Sequence, residues 1–152
     1  MGYIESGKAD GAKVLTGGER KGNAGYFVEP TIFTDVKPDM KIIREEIFGP
    51  VCAVIKFKDE QEVIDLANDT TYGLSSTVFT ENISRAIRVA HALEAGQTFV
   101  SAVLTCSHAS LLQALPTRPQ INSSVAGSMQ VPFGGYKQSG FGKELGQYAL
   151  DA

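Results

Sequence analysis

Between residues 51 and 96 the apolar residues change their period repeatedly, and that alternation constrains the fold more than any other feature of the chain. VCAVIKF (51–57) is a continuous apolar run suited to a buried strand. Asp59 follows as a helix cap, and Glu62 three residues later completes a capping box. In EQEVIDLAND, Val63, Leu66 and Ala67 share a helical face that ends near residues 70–73. LSSTVFT (74–80) is a second strand. Asn82 then caps another helix, whose apolar positions Ile83, Ala86, Ile87, Ala90 and Leu93 fit a period of 3.6 before Gly96 stops it. Strand, helix, strand, helix requires crossover connections. The expected class is therefore α/β, with a parallel sheet and helices packed on it.

The flanks are less regular. YIESGKADGAKVLTGG reads as a short helix near Lys8, followed by a strand in AKVLTGG that ends in a turn. GERKGNAG is a polar, glycine-rich loop or hairpin turn. YFVEPTIFTDV carries β-branched and aromatic residues, with Pro30 arguing against a central hydrogen-bonded position. After Gly96 the character changes: from Gln97 through Gln130 the one formally charged side chain is Arg118. TFVSAVLT retains strand character, but HASLLQALPTRPQINSSVAGSMQ holds no period and reads as loop or poorly ordered chain. Order resumes in VPFGGYKQSGFGKELGQYALDA, where KELGQYAL is a short terminal helix interrupted by Gly146.

Composition narrows the function classes. The 152 residues suffice for one domain, and their net charge of −3 is spread without a run of either sign. That leaves no electrostatic footprint for nucleic acid or an anionic membrane. No apolar stretch approaches a membrane span, and MGYIESGKADG lacks the pattern of a signal peptide. Two cysteines, at 52 and 106, form no CxxC pair, so a reducing compartment is expected, and two separated histidines do not make a zinc site. Cys52, within the first strand, reads as a small buried filler.

Three motifs invite chemistry. Cys106 and His108 are spaced so that an extended backbone puts them on one face, as a thiol nucleophile and its base require, but nothing around them supports that use. In GGYKQSGFGKELG, Gly140-Phe141-Gly142 is followed by Gly146 at the wrong distance for a dinucleotide fingerprint, and Glu144 stands where a P-loop needs Ser or Thr. Its glycines serve either turn chemistry with close packing or contact with a ligand. In REEIFGPV (44–51), Glu45 and Glu46 precede an aromatic and a Gly-Pro turn. Such a pair either faces water or holds one carboxylate as an acceptor for ligand hydroxyls.

EPTIFTDVKPDMKIIREEIFGPVCAVIKFKD, YGLSSTVFT and VPFGGYKQSGFGKELGQYAL closely resemble the C-terminal part of NAD(P)-dependent aldehyde dehydrogenases. The similarity runs from Tyr3 to Gly96 and again from about Val131 to Ala152, and EEIFGPV followed by PFGGYKQSG is a highly specific combination. The resemblance implies a partial parallel-sheet catalytic domain of the aldehyde dehydrogenase fold. Residues 1–130 would form the catalytic-domain part, with 97–130 atypical, and 131–152 a substrate- and cofactor-facing loop with a short helix. It implies that Glu46 accepts hydrogen bonds from the nicotinamide ribose hydroxyls of NAD or NADP. Phe48 would pack beside the nicotinamide end, and Phe133 would line the substrate passage with apolar surface.

In that family a cysteine thiolate attacks the aldehyde, hydride passes to the oxidised cofactor, and water hydrolyses the thioester with a glutamate as base. By the resemblance, nucleophile, base, oxyanion asparagine and the dinucleotide-binding elements belong to sequence preceding Met1. No catalytic residue and no metal ligand is thus expected within the chain, and the isolated chain should be inactive. The parent enzyme implied is a cytoplasmic homo-oligomer oxidising aldehydes to carboxylic acids. The competing expectation is a non-catalytic remnant, or an interaction module that associates with full-length subunits. Two departures stand out. The core strand that QTF begins and INSS (121–124) resembles in its end is broken by residues 100–120, whose bias suggests a retained intron or faulty gene prediction. The terminal strand that serves subunit association is also not present before the end at Ala152.

Overall fold

The computed structural model describes residues 1–101 and 131–151, in two compact units, Met1–Asp59 and Glu60–Ala152. In the first unit, α1 (Gly2–Ala9) leads through a turn at Gly11 into β1 (Lys13–Thr16). The polar glycine-rich stretch that follows is a hairpin excursion, pinned by an antiparallel bridge between Arg20 and Val28. Next come β2 (Thr31–Thr34), the single-turn helix α2 (Lys41–Arg44) and β3 (Val51–Ala53).

β2 is the central strand, antiparallel to β1 and parallel to β3, with Phe33 opposite Val14 on one side and Ala53 on the other. Pro30 is accommodated because the strand starts one residue after it, so the proline removes no ladder donor. Phe33 (0% exposed) and Ile4 (1%) centre a core shared with Ala12, Met40 and Ile42. Thr31, also buried, answers its polarity locally: its hydroxyl donates to the Glu29 carbonyl and accepts from the Gly18 N–H, both at 2.8 Å.

The expected buried strand over 51–57 is shorter and one-sided. Val51 packs on the Phe33 core while Cys52 faces outward and is exposed, which corrects the reading of that cysteine as buried filler. Among the described residues β3 ends the row of strands and has one covered face, so successive side chains alternate between core and surface. Pairing survives only as far as the Val54 N–H, which donates to Phe33 at 2.9 Å.

The second unit follows the expected order: α3 (Glu60–Asn68), β4 (Ser75–Phe79), α4 (Ile83–Ala92) and β5 (Gln97–Ser101). β4 and β5 are parallel, in register from Ser75 opposite Gln97 to Phe79 opposite Ser101, with α4 as the crossover. A hydroxyl pair, Ser76 with Thr98 at 2.8 Å, joins the strands on one face. Asn82 caps α4 through its Oδ1, which accepts from the Arg85 N–H at 2.9 Å. α4 stops at Ala92 rather than running to Gly96, because Leu93 turns extended.

The buried stripe of α4 is Ala86 and Val89; Ile83 and Ile87, expected on the apolar face, are exposed. They lie roughly 60° and 100° round the helix from Ala86, outside the stripe that a two-stranded sheet can cover. On α3, Val63 and Leu66 are half-buried and Ala67 is exposed. Glu60 at its start takes Arg88 in a two-pronged pair (2.6 and 2.8 Å) and Arg85 at 3.2 Å, which clamps α3 to α4. Among the described residues, no helix is long and apolar enough to cross a membrane.

Candidate functional site

Two segments carry the residues singled out from the sequence, one in each unit. In the first, α2 ends at Arg44 because Glu45 is already extended, with φ −112° and ψ 155°. An extended stretch sends neighbouring side chains to opposite sides, so Glu45 and Glu46 meet different surroundings. Glu45 is committed to the fold: its Oε2 accepts from the Tyr3 hydroxyl at 2.9 Å and lies 3.8 Å from Lys41 Nζ. Lys41 in turn stands over the Tyr3 ring, 5.2 Å from its centre.

Glu46 makes no hydrogen bond or ion pair among the described residues and is exposed. The chain beyond it turns tightly, with the Gly49 N–H donating to Ile47 and the Val51 N–H to Gly49 (2.9 and 2.8 Å). That turn leaves the Phe48 ring 95% exposed. Glu46 and Phe48 line a cleft of about 420 Å³ together with Tyr3, Val28, Gly49 and Pro50. An open carboxylate beside a bare aromatic face offers an acceptor for hydroxyl donors and a flat apolar surface for a ring.

In the second unit, the glycine-rich segment forms a closed loop. Phe133 and Glu144 exchange backbone hydrogen bonds of 2.6 and 2.7 Å at its base. Its interior docks on the turn before β4: Tyr136 N–H donates to Gly73, Gln138 N–H to Thr71, and the Gly73 N–H to Ser139 Oγ, at 2.8 to 2.9 Å. Gly73 also accepts from the Gly96 N–H at 2.9 Å, so one carbonyl serves both the loop and the entry to β5.

Where the loop docks, glycines answer a packing demand, whereas Gly140 and Gly142 within it serve the turn through positive φ with open space around them. A Cβ on Gly96 would run into the Gly134 carbonyl, and one on Gly73 would come within 2.6 Å of the Glu94 oxygen. Lys143 reinforces the loop from within, donating to the Gly134 carbonyl at 3.2 Å and lying 4.5 Å from the Tyr136 ring centre. Phe133 emerges from this frame 39% exposed, a half-open apolar side chain at the edge of a hydrogen-bonded loop. The terminal helix expected in KELGQYAL is a 3-10 turn at Gln147–Asp151, entered through Leu145 and Gly146, both with φ near 64°.

Glu46 and Phe48 are thus brought together on one cleft. Cys106 and His108 lie outside the described residues. Sequence reasoning missed two anchors, Tyr3 on Glu45 and Lys137 on Asn68, because each partner lies more than forty residues away and has no local pattern to reveal it.

The aldehyde dehydrogenase family profile matches residues 1–112 and 118–152. Its break at 113–117 falls inside the stretch 100–120 set apart in the sequence, while 100–112 and 118–120 lie within the match. An aldehyde dehydrogenase of Agaricus bisporus is 57% identical over 150 residues, covering 99% of this chain and 26% of the relative. The mouse protein named aldehyde dehydrogenase, cytosolic 1, is 46% identical over the same share of each chain. Among solved structures, the NAD+ complex of a Bacillus cereus aldehyde dehydrogenase superposes with a TM-score of 0.80 at 46% identity, covering 99% of this chain and 26% of that one. The chain therefore spans about a quarter of the length of the relatives it matches, and nearly all of it is matched. With an α/β fold that agrees in sequence and in backbone, the chain belongs to the aldehyde dehydrogenase family.

Proposed function

We propose that this chain supplies the cofactor- and substrate-facing C-terminal part of an NAD(P)-dependent aldehyde dehydrogenase, whose overall reaction converts aldehyde, oxidised cofactor and water into carboxylic acid, reduced cofactor and a proton. The observation that carries this reading is the split between the two glutamates: Glu45 is tied to Tyr3, and Glu46 stands open beside Phe48 on a cleft. An unpartnered carboxylate accepts two hydroxyl hydrogens of a ribose, and a bare aromatic ring flanks a flat heterocycle. The residues present therefore fit a nicotinamide riboside. When bound, the cofactor supplies the hydride acceptor.

What the chain itself does is bind and orient. Glu46 fixes the ribose, Phe48 restricts the ring's tilt, and Phe133 on its braced loop gives apolar lining for the aldehyde tail. Residues 1–130 act as catalytic-domain framework and 131–152 as the substrate-facing loop and terminal turn. The nucleophile and the base lie in the remaining three-quarters of the enzyme. A homo-oligomer in the cytoplasm is the assembly we assign to it.

The test is direct. The purified 152-residue chain, given NAD and a short aliphatic aldehyde, is expected to form no NADH and to bind NAD no more tightly than about millimolar. NADH formation by that chain would overturn the reading of its role as partial.

A further inference from the structure

We propose that Lys137 is a positioning residue, a latch that holds the glycine-rich loop of residues 133–144 against the carboxyl-terminal ends of α3 and α4. Its backbone gives the first indication. Lys137 has φ 53°, in the left-handed region that glycine enters freely and other residues enter at a cost. The loop is already rich in glycine, yet this position carries a lysine. A side chain retained at a strained backbone position is one whose contacts hold it there.

Those contacts converge on two helix exits. Lys137 Nζ donates to the Asn68 carbonyl at 2.7 Å and pairs with a Glu94 carboxylate oxygen at 2.7 Å, with its side chain only 25% exposed. α3 ends at Asn68 and has no basic residue in its last turn, so Lys137 brings from the loop the cation that a helix C-terminus favours. Asn68 joins this exit to that of α4: its Nδ2 donates to the Ala92 carbonyl at 2.8 Å, and its Oδ1 accepts from the Glu94 N–H at 2.9 Å. One ammonium thus closes a ring of contacts through Asn68, Ala92 and Glu94.

The latch lies between the two loop amides that dock on Gly73 and Thr71, those of Tyr136 and Gln138. Four residues back along the same braced loop stands Phe133, so Lys137 sets how firmly that ring is held. The consequence for aldehyde selection rests on the reading of Phe133 above; the latch itself does not.

Amide hydrogen exchange in the 152-residue chain tests the proposal. In Lys137→Met and Lys137→Gly, exchange at Tyr136 and Gln138 is expected to speed by about tenfold or more, with the β5 amides unchanged, because a charge-assisted contact has been removed from a local opening. Lys137→Arg is expected to stay within about threefold of wild type, since it restores the cation. The glycine variant is decisive. It relieves the backbone, so a Lys137→Gly loop protected as well as wild type would overturn the latch. Equal acceleration of loop and β5 amides would also overturn it, by showing that Lys137 supports the whole unit. Phe133→Ala is expected to leave loop exchange in the 152-residue chain unchanged and to raise only the aldehyde Michaelis constant of a full-length aldehyde dehydrogenase carrying these residues, so failure of the passage reading is seen separately.

Discussion

The Tyr3 hydroxyl donates to Glu45 at 2.9 Å, and that bond assigns different tasks to two carboxylates adjacent in the chain. Glu45 ties α1 to the end of α2. Glu46, pointing the other way along an extended backbone, is left open beside Phe48. A fold that engages one carboxylate of a pair also fixes where the other is displayed.

Tyr3→Phe is therefore expected to lower the stability of the first unit by roughly 0.5–1 kcal/mol, the net worth of one exposed hydrogen bond to a charged acceptor after screening. Glu46→Gln is expected to change it by less than about 0.5 kcal/mol, because no contact is lost. Urea denaturation of the two variants beside wild type measures both.

Gly96→Ala is expected to destabilise the second unit by about 2 kcal/mol or more, since its Cβ would meet the Gly134 carbonyl and either β5 or the loop must move. Gly49→Ala is the control: nothing lies within 4 Å of its Cβ, so the change stays within about 0.5 kcal/mol. Thermal melts followed by circular dichroism distinguish the two.

Asn82→Ala is expected to cost about 1 kcal/mol by removing the acceptor for the Arg85 N–H at the start of α4. The loss should appear as fraying of residues 83–86 in amide exchange while β4 remains protected.

The Glu60 clamp gives a pH dependence with a definite sign. The two-pronged hydrogen bond from Arg88, helped by Arg85, holds the Glu60 carboxyl below its ordinary value of 4.5 against the opposing effect of desolvation. Because the folded value is the lower one, the clamp contributes fully above pH 4.5, and its contribution is lost as pH falls through the depressed folded value. Glu60→Gln should remove that acid-range component of the α3–α4 contact, and added salt should weaken it in wild type. A pH series of amide exchange on α3 reads both effects.

Much of the second unit was legible in the sequence because its signals are local. The Asn82 cap, the crossover helix and the parallel pair β4–β5 all follow from period and turn chemistry within about thirty residues. The first unit was less so. β2 proved central although Pro30 precedes it, since a proline one residue outside a strand leaves the ladder intact. Cys52 proved exposed because an apolar run does not reveal whether a strand has one covered face or two. Resemblance marked Glu46 and Phe48, but the reason Glu46 is the open member of its pair lies in Tyr3, forty-two residues away. The latch at Lys137 was hidden for the same reason: its partners at 68 and 94 are neighbours only once two helices have ended beside each other.

The most direct measurement is the Michaelis constant for NAD in a full-length aldehyde dehydrogenase carrying these 152 residues in its matched segment, compared for Glu46→Gln and Glu45→Gln. Replacing the charged, two-oxygen acceptor by an amide that keeps one acceptor oxygen is expected to raise the constant by about tenfold in Glu46→Gln, the scale of one charge-assisted hydrogen bond, while Glu45→Gln stays within about twofold. An unchanged constant in Glu46→Gln, or an equal rise in both variants, would contradict the assignment of Glu46 as the carboxylate that holds the cofactor.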